Sequence, residues 1–79
     1  MWHVYILSCS DDTLYTGITN DLERRIEEHN SSKLGAKYTR GRRPVTLVYS
    51  KEMGSRSDAL KEEYRIKQLS REEKLVLNN

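Results

Sequence analysis

The chain predicts an α+β fold: a three-stranded antiparallel sheet packed with helices, in the order ββαβαα. Three observations carry that prediction. The first is a pair of apolar, tyrosine-containing segments around a polar turn, "VYILSCSDDTLYTG". The second is a change to helical spacing just after it, in "DLERRIEEHN". The third is an apolar run opened by the one proline, "PVTLVYS", followed by two more stretches with helix-start signals.

"WHVYILSC" (2–9) is apolar and rich in strand-forming residues, "CSDDT" is a turn cluster, and "LYTGIT" (14–19) returns as a second strand, so the pair reads as a β-hairpin. Asn20 or Thr19 is positioned to cap a first helix running to about Asn30, with Asp21 and Glu23 at its favourable N-terminal end. Leu22 and Ile26, four apart, mark its buried side. Pro44 then opens a third strand whose Val45, Leu47 and Tyr49 alternate onto one face. "GSRS" breaks the chain, and Ser57 or Asp58 caps a second helix, "DALKEEYRIKQL". "SREE" has the form of a capping box, Ser70 reaching toward Glu73, and starts a last helix with Leu75 and Leu77. Three strands cannot bury two faces alone, so the helices must pack on them.

Seventy-nine residues make a single domain, 1–79, with a small core. With no phenylalanine, Trp2 and the five tyrosines supply the large rings. The lone cysteine, Cys9, excludes an internal disulfide and fits a reducing cytoplasm. One Cys and two His without ligand spacing give no zinc site. The apolar runs are too short for a membrane span, and "MWHVYIL" lacks the features of a signal peptide. Net charge is +2, but it is uneven: "SSKLGAKYTRGRR" (31–43) carries five cations and no acid, leaving the rest net negative. A basic loop on a mildly acidic body points to a polyanion contacted in one place.

Several polar residues stand where periodicity calls for apolar ones. On the second helix Ala59, Leu60, Ile66 and Leu69 define an inward stripe, and Glu63 lies in its middle, while Glu62 reads as solvated. A carboxylate on a packing face costs several kcal/mol unless it is paired or binds a cation. Glu63 is therefore a buried ion pair, a stripe edge that reaches water, or a metal or catalytic carboxylate. On the first helix Arg25 and His29 form a row with Leu22, and each also has a plainer reading. Arg25 can snorkel, and His29 can sit hydrogen-bonded near the helix C-terminus. Tyr5 and Tyr15 share a sheet face if the hairpin pairs odd with odd, with His3 beside Tyr5 and a gap at Gly17. That gap either admits a ligand or lets a helix pack closely.

Taken in order, these segments resemble the GIY-YIG nuclease family. "HVY" (3–5) is similar to its first motif and "YTG" (15–17) to its second; "DLERRIEEHN" resembles its arginine helix, and "ALKEEYRIK" its glutamate helix. With "AKYTRGRRPVTLVY" included, the chain most resembles the small stand-alone bacterial members. His3 replaces the first glycine, Thr16 an aliphatic residue, and Ile18 a lysine found in some repair members. The resemblance implies Tyr5, Tyr15, Arg25 and His29 as catalytic residues and Glu63 as metal ligand.

It further implies an endonuclease that hydrolyses nucleic-acid phosphodiester bonds, DNA ahead of RNA, with one Mg²⁺ or Mn²⁺ on Glu63. A single carboxylate suits Mg²⁺, which keeps most of its waters. Arg25 would contact phosphate oxygens. The base is left open between the tyrosines and His29: at an ordinary pKa near 10 only about one phenol in a thousand is ionised at pH 7, whereas imidazole titrates near neutrality. Lys33, Lys37, Tyr38, Arg40, Arg42 and Arg43 are expected to hold the nucleic-acid backbone, with a salt slope of about −4 to −5 on duplex DNA. Tyr38 either stacks on a base or anchors its loop. A monomer free of membranes is expected. Two rival readings are a nucleic-acid-binding module that cuts poorly or not at all, and a protein-interaction adaptor using "SREEKLVLNN" and exposed tyrosines.

Overall fold

The computed structural model describes residues 1–31, 39 and 41–77. Its elements run β1 (Trp2–Ser8), β2 (Leu14–Thr19), α1 (Leu22–Ser31), β3 (Thr46–Met53), α2 (Arg56–Lys67) and α3 (Arg71–Val76). This is the expected ββαβαα order. The strands form one antiparallel sheet in the order β2-β1-β3, so the hairpin's second strand is an edge and β1 is central.

The sheet separates two cores. On one face Tyr5, Leu7, Cys9 and Val45 are buried with Leu22 and Ile26 of α1 packed against them. On the other, Val4 and Ile6 meet Ile66 of α2, flanked by Leu14, Ile18, Met53 and Leu77. Central β1 is apolar in every position from Val4 to Leu7 because both of its faces are covered. Edge strand β2 instead alternates in size around Gly17.

Strand β3 departs from the expected alternation. Leu47 pairs with Leu7 but Tyr49 pairs with Ile6, so one extra residue, Val48, sits between them as a bulge. A bulge moves every later residue to the opposite face. Leu47 therefore joins the α1-side core, and Tyr49, expected beside it, packs on the α2 side. The strand also begins later than Pro44 and runs on to Met53. Asn30 fastens its approach: the side chain donates to the Val45 carbonyl at 3.1 Å and accepts from the Val45 amide at 2.6 Å.

The helix starts are corrected by one to three residues. Asp21, not Asn20 or Thr19, caps α1, its carboxylate accepting from the Arg24 amide at 3.2 Å. Ser55, not Ser57 or Asp58, caps α2 by accepting from the Asp58 amide. The α3 capping box forms as expected, with Ser70 and Glu73 bonded reciprocally. Along α2, Ala59 and Ile66 are buried but Leu60 is 38% exposed. The expected solvated residue, Glu62, is in fact the better covered carboxylate: its side chain is 12% exposed against 20% for Glu63. Leu75 is likewise exposed. No helix among the described residues is long and apolar enough to cross a membrane.

Candidate active site

Four of the five expected catalytic and metal-binding residues gather on the α1 face of the sheet. The hairpin register pairs Tyr5 with Gly17 and Leu7 with Tyr15, odd with odd, so both phenols project from one side. Their ring centroids lie 6.4 Å apart. His29 enters from α1 and completes a triangle of rings, 5.9 Å from Tyr5 and 5.2 Å from Tyr15. The gap expected at Gly17 is filled by the Tyr5 phenol itself. A Cβ on Gly17 would stand 2.6 Å from that hydroxyl.

Polar atoms join the rings. The Tyr5 hydroxyl lies 2.9 Å from Nε2 of His29, and Nδ1 of His29 lies 2.8 Å from the Thr39 hydroxyl. Arg25 also shares a hydrogen bond with the Tyr5 phenol. A guanidinium only donates, so the phenol oxygen accepts from Arg25. Thr39 was not legible in the sequence, being a small polar residue far from either motif.

Burial keeps Tyr5 and His29 neutral. Loss of solvent pushes the Tyr5 phenol up to about 12, with further upward pressure from Tyr15, against a downward pull from Arg25. Burial pushes His29 down to about 4, and the Arg25 charge adds to the effect. Burial opposes the charge on Arg25 too, but its bonds to Glu28 and Tyr5 prevail and hold it cationic. Glu28 pairs with Arg25 at 2.9 Å and with Arg24 at 3.2 Å. Its i, i+3 and i, i+4 spacing from the two arginines was a readable signal that the sequence reading passed over.

His29 gives the fold a specific acid sensitivity. Unfolded, it binds a proton below about pH 6.5; folded, it resists until about pH 4. Stability from the neutral form is thus complete above pH 6.5 and is lost as pH falls toward 4. Urea denaturation at pH 7 and pH 4.5 should differ by about 2–3 kcal/mol from this group, before most carboxylates titrate. A His29→Gln variant should show a much flatter profile over the same interval; an unchanged slope would refute the assignment.

Glu63 belongs to α2, the helix whose Ile66 packs with Val4 and Ile6, and its carboxylate pairs with Lys67 at 3.3 Å. It remains near enough to press the Tyr5 phenol upward, as the smallest of five influences. No group of three or more His, Cys, Asp or Glu able to hold a metal occurs among the described residues. That donor set does not suit a transition-metal cage. One partly exposed carboxylate does suit a hard divalent ion that retains its waters.

The basic segment divides. Arg42 pairs with Asp11 at 2.9 Å, and its carbonyl accepts from the Ser10 amide, which ties it to the β1–β2 turn. The Arg43 guanidinium bonds the carbonyls of His29 and Glu28 (3.3 Å to the latter) at the negative end of α1. Both arginines therefore have structural work. Lys33, Lys37, Tyr38 and Arg40 lie outside the described residues.

Comparison with known proteins identifies the family. The model of the GIY-YIG catalytic domain matches residues 1–76. The chain belongs to the GIY-YIG family. Among its relatives, a UPF0213 protein of Halobacterium salinarum is 57% identical over 77 residues, covering 98% of this chain and 99% of that protein. Another, from Desulfotalea psychrophila, is 60% identical and covers 96% of this chain and 69% of its own length. The solution NMR structure of the UPF0213 protein BH0048 from Bacillus halodurans shares 49% identity with a TM-score of 0.59, covering 98% and 82% of the two chains. A protein from E. faecalis gives 39% identity and a TM-score of 0.64, covering 95% and 79%. The family places the chain in a nuclease superfamily whose domains engage nucleic acid and generally use a divalent metal.

Proposed function

We propose that the protein is a divalent-metal-dependent endonuclease acting on DNA, with Tyr5, Tyr15, Arg25 and His29 as its catalytic cluster and Glu63 as its metal ligand. The observation that supports this most is the placement of the Tyr5 phenol, which accepts from a guanidinium and lies 2.9 Å from Nε2 of a buried, neutral imidazole. A cation held by Glu63 would supply Lewis acidity at the phosphate and lower the pKa of bound water. Arg25, permanently charged, holds a phosphate oxygen and stabilises charge that builds there. Tyr5 orients the attacking water. At a pKa of about 12, only about one phenol in 10⁵ is ionised at pH 7. Transfer of its proton to an imidazole near 4 is strongly uphill in the protein alone. The Tyr5–His29 pair therefore needs added positive charge nearby before it can act as a base. His29 holds the phenol's orientation and Tyr15 walls the site.

A second reading, a binding module on the same scaffold that cuts slowly, is favoured by the same strongly neutral pair and by the engagement of Glu63 with Lys67. Assays on linear, nicked and branched DNA with Mg²⁺ distinguish the two. Cleavage should appear with Mg²⁺, vanish in EDTA, and fall about 10²–10⁴-fold in Tyr5→Phe. Binding with no metal-dependent cleavage on any substrate would leave the module reading standing.

A further inference from the structure

The geometry points to a subsite for one unpaired nucleobase beside Arg25. A cleft of about 300 Å³ opens where β2 runs into α1, with Trp2 and Ile18 on its apolar side and Asn20, Asp21, Arg25 and Glu28 on its polar side. That volume is at the small end of the range for ligand sites. It suits a single flat heterocycle and leaves no room for a duplex.

The charge of the cleft selects a base over a phosphate. Arg24 and Arg25 both pair with Glu28, and Asp21 supplies a second anion, so the walls carry two positive and two negative groups. A phosphate set inside the cleft, among all four charges, gains no net attraction from a balanced wall. An uncharged base gains an apolar surface and, from Asn20 and Asp21, an amide and a carboxylate for the donors and acceptors on its edge. Trp2 is the aromatic wall. It is half-buried, and the Arg56 guanidinium lies 5.7 Å from its ring centroid, which helps to fix the indole in place.

Arg25 links the cleft to the Tyr5–His29 cluster, since it lines the one and bonds the other. A strand whose phosphate rests on Arg25 therefore offers a neighbouring base to Trp2. This inference rests on the nuclease reading and deepens it. A base inside a duplex must first leave its stack, at a cost of a few kcal/mol. The cleft thus favours DNA in which a base beside the contacted phosphate is already free.

Trp2 is the sole tryptophan, so its emission reports this cleft directly. The full chain is titrated in EDTA, which withholds cleavage, with a single-stranded DNA of about eight nucleotides and with a blunt, fully paired duplex that contains the same sequence. Anisotropy of labelled DNA reads binding, and Trp2 emission is followed in parallel with unlabelled DNA. The single strand should change Trp2 emission at saturation and the duplex should change it little. Trp2→Leu should weaken single-strand binding about 5- to 100-fold and duplex binding less than about twofold, while Trp2→Phe keeps most of the single-strand affinity. Strand binding with unchanged Trp2 emission, or equal binding by wild type and Trp2→Leu, overturns the subsite. Should Trp2→Leu not fold, the wild-type emission titration decides alone. Absence of binding to either DNA overturns the nucleic-acid reading and the subsite with it. Binding with the emission change but no cleavage in Mg²⁺ removes the catalytic reading and leaves the subsite standing.

Discussion

Replacing Glu63 with Gln should lower Mg²⁺-dependent cleavage at least about 10³-fold while leaving DNA affinity within about twofold. Lewis-acid stabilisation by a metal is worth several kcal/mol, and each 1.4 kcal/mol or so is a factor of ten. An amide is a far poorer ligand for a hard cation than a carboxylate, and no other cluster of metal-ligating side chains among the described residues could take over. The fold should not suffer. Glu63 is partly exposed and pairs with Lys67, four residues on, a type of pair worth about 0.3–0.5 kcal/mol. Melting curves of the two proteins should nearly superimpose. Metal-dependent cleavage that survives the substitution unchanged would move the cation site away from α2.

Gly17→Ala should damage both stability and activity, because its methyl group has no place to go. The added Cβ would meet the Tyr5 hydroxyl at 2.6 Å, its Cζ at 2.8 Å and Cε2 of Tyr15 at 3.2 Å. The Tyr5 ring cannot swing aside easily: it is 1% exposed, and its hydroxyl is held by His29 and Arg25. Overpacking of this kind costs about 1–3 kcal/mol, or roughly 5–20 °C in Tm for a domain of this size. Misplacing the phenol by an ångström should lower the cleavage rate about 10²-fold. No glycine among the described residues has a positive φ, so the requirement is for space and not for an unusual backbone angle. Gly54→Ala, whose Cβ would find an ordinary 3.5 Å contact, is the control. Adding Tyr5→Phe to Gly17→Ala should recover part of the lost stability, since it removes the closest atom. A Gly17→Ala protein with wild-type melting and cleavage would contradict the packing described.

The hairpin was readable because its signals agree. β-branched and aromatic residues flank a polar turn, and an odd-odd register, which the structure supplies, puts Tyr5 and Tyr15 on one face. Arg25 and His29 were readable for the same kind of reason: helical spacing sets them beside Leu22 and Ile26, and that stripe packs on the sheet. The third strand failed at Val48. Nothing in "VTLVYS" marks an extra residue, since either alternation presents apolar side chains to a core. The helix starts failed by small margins because Asp, Ser, Asn and Thr crowd each boundary. Caps differ among such residues by a few tenths of a kcal/mol, less than tertiary packing can override. Glu62 and Glu63 were exchanged in burial for a related cause: α2 rolls on the sheet to seat Ala59 and Ile66, and Leu60 is left outside.

By itself, the sequence determined the element order, the two tyrosine-bearing strands and the arginine–histidine row, because these follow from local propensity and from periods of two and 3.6 residues. Only the tertiary structure decided that the Tyr5 hydroxyl occupies the space over Gly17, that His29 is buried and neutral between Tyr5 and Thr39, and that Glu63 lies near enough for its charge to act on Tyr5. Those facts depend on how two helices settle on opposite faces of one sheet. Distances of that kind are set by packing between segments far apart in the chain, and no window of neighbouring residues encodes them.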